Sequence, residues 1–142
     1  ELRDRGVDEL DVHLNFGAEE VRRYGDEVIA GEFVGAAARV IRTTAADIRT
    51  NLGLAAVVVH PRQSAACATA QGTSWVPGPY TDKPLITTGA GDHFNAGFVQ
   101  GQLLGLDSEG CLALGVCTSG HYVRTAESPS LDDLDKFLAS WE

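Results

Sequence analysis

Hydrophobic and polar positions alternate along this chain with two different periods. "LDVHL" (10–14) is a short apolar run that stops at Asn15 and predicts a buried strand. "GAEEVRRYG" (17–25) predicts a short helix closed by Gly25. Over 32–53, Val34, Ala37, Ala38, Ile41, Ala45 and Ile48 fall near helical spacing, so a longer helix is expected there with Gly53 as its C-cap. "LAAVVV" (54–59) is apolar without interruption, the mark of a strand covered on both faces. Strand, helix, strand is an α/β signal.

"AACATA" (65–70) and "TSWVPG" (73–78) predict a hairpin turning at Gln71-Gly72, and "PGPYTDKP" (77–84) a proline-rich connector. A helix follows from Gly89 to Leu104, with Phe94, Phe98 and Gly101 along one side; Gly97 and Gly101 allow close packing on a neighbour. Residues 107–123 predict another helix, with Asp107 or Ser108 as N-cap. The last, 128–141, is amphipathic, capped by Ser130 after Pro129, with Leu131, Leu134, Phe137 and Leu138 as its apolar stripe.

Composition narrows the function classes. With 142 residues and 44% apolar content, one modest domain with a real core is expected. No apolar run approaches the length of a membrane span, and "ELRDRG" is charged from the start and is not read as a signal peptide. Methionine is absent, so the chain is expected to be a piece of something longer. A net charge of −9 argues against a nucleic-acid or anionic-membrane binder, both of which need a basic face. Cys67, Cys111 and Cys117 are odd in number and form no CxxC, so buried free thiols in a reducing cytoplasm are expected. The histidines at 13, 60, 93 and 121 show no HxxxH pairing, which argues against a histidine-built metal site.

The chemistry concentrates in "TTGAGDHFNAGF" (87–98). A helix beginning there has free N–H groups on its first turn and the positive end of its dipole beside them. Gly89, Ala90 and Gly91 let an anion approach those groups closely, and a phosphate or a phosphoryl group in transfer suits such a nest. Asp92 in the same turn repels a phosphate, so its presence needs a reason. Proton chemistry is one: Asp92 takes the proton of an alcohol while the nest holds the phosphoryl group that the alcohol attacks, help worth about 10²–10⁴ in rate. The alternative is that Asp92 merely stabilises the helix N-terminus, by under about 1 kcal/mol.

The longer string resembles the second signature of the ribokinase-like (PfkB) sugar kinases, D-T-T-G-A-G-D-x-F-x-A-G-F, and agrees with it in type and order from Thr87 to Phe98. The resemblance extends over nearly the whole chain but covers only the C-terminal half of a family member. It implies a three-layer α/β/α sandwich with a mostly parallel sheet. Residues 1–142 would be the nucleotide-binding and catalytic portion, and the substrate and lid portion would be absent. It also implies a cytoplasmic ATP-dependent carbohydrate kinase using Mg2+, with Asp92 as general base and Gly89, Ala90 and Gly91 as anion hole. Thr87, Thr88, Asn15, His60 and Arg62 would lie at the nucleotide or its phosphates. The partners implied are a small-molecule sugar and a nucleotide, with no nucleic acid and no membrane, and a homodimer as candidate assembly.

The sequence departs from the family pattern at three places. Asn15 and Glu19 resemble its Asn-x-x-Glu element, which acts near magnesium, but Ala18 stands where the Glu belongs; Glu19 is an indirect metal residue or an exposed helix glutamate. The family's Thr-x-Gly-x-x-Gly loop is "HPRQSA" (60–65), so Arg62 reaches a phosphate or the nucleotide is held weakly, and His60 is otherwise a structural strand-end residue. Ile86 replaces the Asp before Thr87, so activation by potassium is not expected. His93 points roughly 100° away from Asp92 around the helix and is expected to pack. The competing class is a non-catalytic nucleotide- or sugar-binding relative. A dinucleotide-binding fingerprint fails, because Phe94 stands where a third small residue belongs.

Overall fold

The computed structural model describes residues 12–14 and 33–141, with side chains from Ala38 onward. The expected helix over 17–25 lies outside these residues. The chain divides into two compact units, residues 1–61 with 66–75 and residues 62–65 with 76–142.

In the first unit, β1 (Val12–Leu14) lies parallel to β2 (Val57–Val59), with Val12 opposite Val57 and Leu14 opposite Val59. α1 (Phe33–Leu52) lies between them in sequence, as the strand–helix–strand pattern predicts. Its C-terminus closes as a Schellman motif. Gly53 takes φ 63, its N–H donates to Thr50 O at 3.4 Å, and the Leu54 N–H donates to Arg49 O at 3.1 Å. Ile41, Ala45, Val57, Val59, Ala66 and Ala68 form one buried cluster, with Ile48, Leu54 and Trp75 packed against it. α1 therefore buries the face that its apolar spacing marked out.

β3 (Ser64–Thr69) runs antiparallel to β2, with Val57 opposite Ala68 and Val59 opposite Ala66, and β4 (Gly72–Pro77) completes the order β1-β2-β3-β4. Only antiparallel strands are joined by a two-residue turn, so β3 and β4 pair that way too. Among the described residues the sheet is thus mixed, and these strands do not establish the mostly parallel sheet expected from the sequence. The turn falls at Ala70–Gln71, one residue earlier than predicted. There the Gln71 N–H donates to the Thr69 hydroxyl at 3.2 Å, and Gly72, at φ 138, already begins β4.

The second unit is helical: α2 (Ala90–Leu103), α3 (Ser108–Thr125) and α4 (Leu131–Ser140). Phe94, Gly97, Phe98 and Gly101, spaced by three and four, are the buried face of α2. The α2–α3 approach is close enough to exclude a side chain at Gly97, where a Cβ would stand 2.7 Å from Leu114 O and against the Thr118 hydroxyl. Asp107 caps α3 by accepting from the Gly110 N–H at 2.8 Å, and Ser130 with Asp133 forms a capping box on α4. α4 starts directly after Ser130, the residue predicted to cap it. The three cysteines are free and buried, and burial pushes the Cys117 thiol up to about 11. No helix among the described residues is long and apolar enough to cross a membrane.

Two outcomes check this packing. Gly97→Ala overpacks the α2–α3 contact and costs about 1–3 kcal/mol in a urea titration; an unchanged midpoint contradicts the close approach. Hydrogen bonds from Ser130 hold the Asp133 carboxyl below the usual aspartate value, the hydroxyl contributing more than the backbone N–H. A depressed value stabilises above the unfolded-state pKa and loses that contribution as pH falls through the native one. The melting-temperature penalty of Ser130→Ala is therefore largest near neutral pH and shrinks in acid. A penalty that grows on acidification contradicts the box.

Candidate functional site

The expected anion hole sits where the connector from β4 becomes α2. That connector is tied to α3 at two points. The Leu85 N–H donates to Val123 O at 2.8 Å, and the Arg124 guanidinium donates to Tyr80 O at 2.9 Å and to Gly120 O at 2.8 Å. Arg124 lies 5.4 Å from the Phe137 ring centre, and burial lowers its pKa. These ties bring residues 80–88 along α3 to the first turn of α2.

Gly89 is the N-cap of α2 and sits in the left-handed region at φ 86, ψ −2. Residues with a Cβ avoid that region, and a Cβ here would lie 3.2 Å from the Tyr122 Oη. Around Gly89 the backbone carbonyls turn inward. Thr87 O accepts from the Ala90 N–H at 3.2 Å, Thr88 O from the Tyr122 hydroxyl at 3.1 Å, and Gly89 O from the His93 N–H at 3.0 Å. No peptide here is cis, so each N–H opposes the carbonyl of its own peptide. The Gly89 N–H therefore points away from Tyr122. The amides of Gly91 and Asp92, on the first helical turn, have no intrahelical acceptor. Of the three expected anion-hole residues, Ala90 has its N–H engaged in the turn, the Gly89 N–H lies opposite the carbonyl that Tyr122 holds, and the Gly91 N–H has no intrahelical acceptor.

Asp92 is exposed on the same turn, as are Thr87 and Thr88. The chain thus brings Thr87, Thr88, Gly89, Ala90, Gly91 and Asp92 together at one helix start. His60 is half-buried just past β2, and Arg62 is exposed in the turn before β3. Asn15 and Glu19 lie outside the described residues. Among the described residues no group of three or more His, Cys, Asp or Glu side chains is placed to hold a metal ion.

Sequence reasoning did not single out Tyr122 or Ser128, the residues against which His93 packs as expected. The His93 ring stacks on Tyr122 at 3.6 Å between centroids and 10° between planes, a contact worth on the order of 1 kcal/mol. Its Nδ1 is 2.8 Å from Gly89 O and its Nε2 is 2.9 Å from the Ser128 hydroxyl. A carbonyl only accepts, so these partners assign the proton to Nδ1 and let Nε2 accept from Ser128 when the ring is neutral. Ser128 stands 35 positions from His93, and Tyr122 stands 34 from Thr88, so no local pattern links them.

The family model for prokaryotic ketohexokinase matches residues 8–141. The chain belongs to that family. A ketohexokinase from Haloferax volcanii is 36% identical over 91 residues, which cover 64% of this chain and 24% of that protein; the chain thus spans about a quarter of the relative's length. Among solved structures, phosphofructokinase-2 of Escherichia coli, in complex with substrates and products, superimposes with a TM-score of 0.62 at 22% identity, over 92% of this chain and 40% of that one. An Escherichia coli protein described as a ribokinase II, in complex with ATP and Mg2+, gives 0.57 at 22% identity, over 65% and 33%. The ribokinase-like fold and the carbohydrate-kinase ancestry implied by residues 87–98 both hold for this ketohexokinase-family segment.

The left-handed Gly89 generates a direct test. Gly89→Ala costs roughly 1–2 kcal/mol of stability from the backbone conformation alone, read by urea titration. A cost near zero means that residue 89 adopts another conformation.

Proposed function

We propose that residues 1–142 are the nucleotide-binding and catalytic C-terminal portion of a cytoplasmic carbohydrate kinase that moves the γ-phosphate of ATP onto a sugar hydroxyl. The observation that carries this reading is the turn at Gly89: the carbonyls of Thr87, Thr88 and Gly89 are all engaged, the first helical turn leaves the Gly91 amide without an intrahelical acceptor, and an exposed carboxylate follows at Asp92. Amides so disposed stabilise negative charge on a phosphoryl group in transfer, and they are aligned before it arrives. Asp92 accepts the acceptor hydroxyl's proton as its oxygen bonds to the γ-phosphorus. The bond from that phosphorus to the β–γ bridging oxygen breaks, and ADP leaves with the electron pair. The names of the family and of the Haloferax relative support a ketohexose as acceptor.

The ATP and Mg2+ in the ribokinase II complex support the same donor and cation here. Magnesium travelling with a nucleotide is held largely by water and phosphate oxygens, so it needs no all-protein cage. When bound, it neutralises phosphate charge. In this reading Thr87, Thr88, Asn15, His60 and Arg62 face the nucleotide, Glu19 acts indirectly on the cation, and the full protein completes a three-layer α/β/α sandwich whose sheet is mostly parallel. Sugar and nucleotide are the partners, without nucleic acid or membrane, and a homodimer is the candidate assembly.

The replaced loop at 60–65 favours a second reading, a relative that binds without turnover. Assay of the full-length protein separates the two. ADP release with a ketohexose, lowered about 10²–10⁴-fold by Asp92→Asn, is the result expected of a general base. No ADP release across a panel of sugars and nucleosides favours the non-catalytic reading. The 142-residue segment alone is expected to turn over little, because it spans only a minor share of its relatives.

A further inference from the structure

The proposed chemistry uses the amides at the start of α2 but not the side chains gripping the carbonyls behind them. We propose that His93 and Tyr122 are positioning residues. By holding Gly89 O and Thr88 O, they aim the Gly89 amide at the incoming phosphoryl group. The inference rests on the kinase reading for its function and on geometry for its mechanism.

Gly89 gives the turn its shape and also makes it unsteady. A residue without a Cβ occupies either sign of φ at little cost, so the peptides on both sides of Gly89 are free to rotate unless something holds them. Two contacts do so. The Tyr122 hydroxyl donates to Thr88 O at 3.1 Å, and since that peptide is trans, this sets the opposite direction for the Gly89 N–H. The His93 ring lies 2.8 Å from Gly89 O and fixes the next peptide, whose N–H at Ala90 closes on Thr87 O at 3.2 Å.

The two side chains also hold each other. Tyr122 covers one face of the His93 ring at 3.6 Å, and Ser128 engages its far nitrogen at 2.9 Å. Rotating either peptide would break a hydrogen bond and disturb the stack. Asp92, next in sequence to His93, is exposed, so the clamp and the proposed base occupy different sides of one turn. Neither His93 nor Tyr122 presents a group to the reacting atoms in this arrangement; both act through the backbone of Thr88 and Gly89.

The test uses the full-length protein with His93→Phe, His93→Asn and Tyr122→Phe. His93→Phe keeps a ring on Tyr122 and loses both hydrogen bonds, whereas the amide of His93→Asn still donates toward Gly89 O. Misaiming an anion-hole donor costs less than removing one, so kcat falls about tenfold in His93→Phe and Tyr122→Phe, against about 10²–10³ for a lost donor. KM for ATP and sugar stays within about twofold, as expected when the lost interaction acts only in the transition state. His93→Asn recovers part of kcat. Parental kcat in both Phe variants, or a raised KM at unchanged kcat, overturns the proposal.

A second measurement does not depend on turnover. In protein labelled with 15N-glycine, inorganic phosphate shifts the Gly89 and Gly91 amide signals of the parent, and shifts Gly89 much less in His93→Phe and Tyr122→Phe. If the parent phosphorylates nothing, the kinase reading fails, and these spectra alone decide the clamp. Equal Gly89 shifts in parent and variants, or none in any of them, overturn it.

Discussion

A trans peptide cannot turn its carbonyl and its N–H to the same side, and the site at the start of α2 depends on that constraint. The chain can free amides on one side only by finding donor partners for the carbonyls on the other. Thr87 O is held by a backbone N–H, Thr88 O by Tyr122, and Gly89 O by both the backbone and the ring of His93, although the N–H of that last peptide, at Ala90, is itself engaged by Thr87 O. Glycine at 89 makes the geometry accessible, and the side chains from α2 and α3 make it stay. The need is sharper because the protein is acidic, at a net charge of −9. In the proposed reading this chain's own charge repels a nucleotide, so short-range amides and a local helix dipole, rather than a basic surface, would hold the anion.

Those contacts require α3 to stand at a fixed distance under the turn. Small residues set that distance. Gly97 lets α2 rest against Thr118 and the Leu114 carbonyl, and Phe94, 1% exposed, fills the interface on the first turns of α2. Tyr122 lies one helical turn beyond Thr118 on α3, which brings its hydroxyl to Thr88. Arg124 and Val123 then hold the connector that delivers residues 85–88. The packing of two helices and the aim of a backbone amide are thus one structural problem.

Much of this was legible in the sequence where the determinants are local. The apolar spacing of α1, the Gly53 stop, the Asp107 and Ser130 caps and the buried Phe94–Phe98 face all follow from residues within a turn or two of each other. The string from Thr87 to Phe98 marked the helix start and the family. Legibility failed where pairing is long-range. The sheet's mixed direction depends on which strands meet, and the hairpin turn falls one residue earlier than predicted, where the Thr69 hydroxyl meets Gln71 N–H and Gly72 O. His93 packs as expected, but its neighbours in sequence do not name Tyr122 or Ser128 as its partners.

The central claim concerns where the phosphoryl group sits, and a structure of the full-length protein with ADP, a planar metal fluoride and a ketohexose locates it most directly. The account places a fluoride about 2.7–3.1 Å from the Gly89 and Gly91 amide nitrogens, with an Asp92 carboxylate oxygen about 2.6–3.2 Å from the acceptor hydroxyl. A fluoride bound away from this turn, or an acceptor hydroxyl facing a different carboxylate, contradicts it.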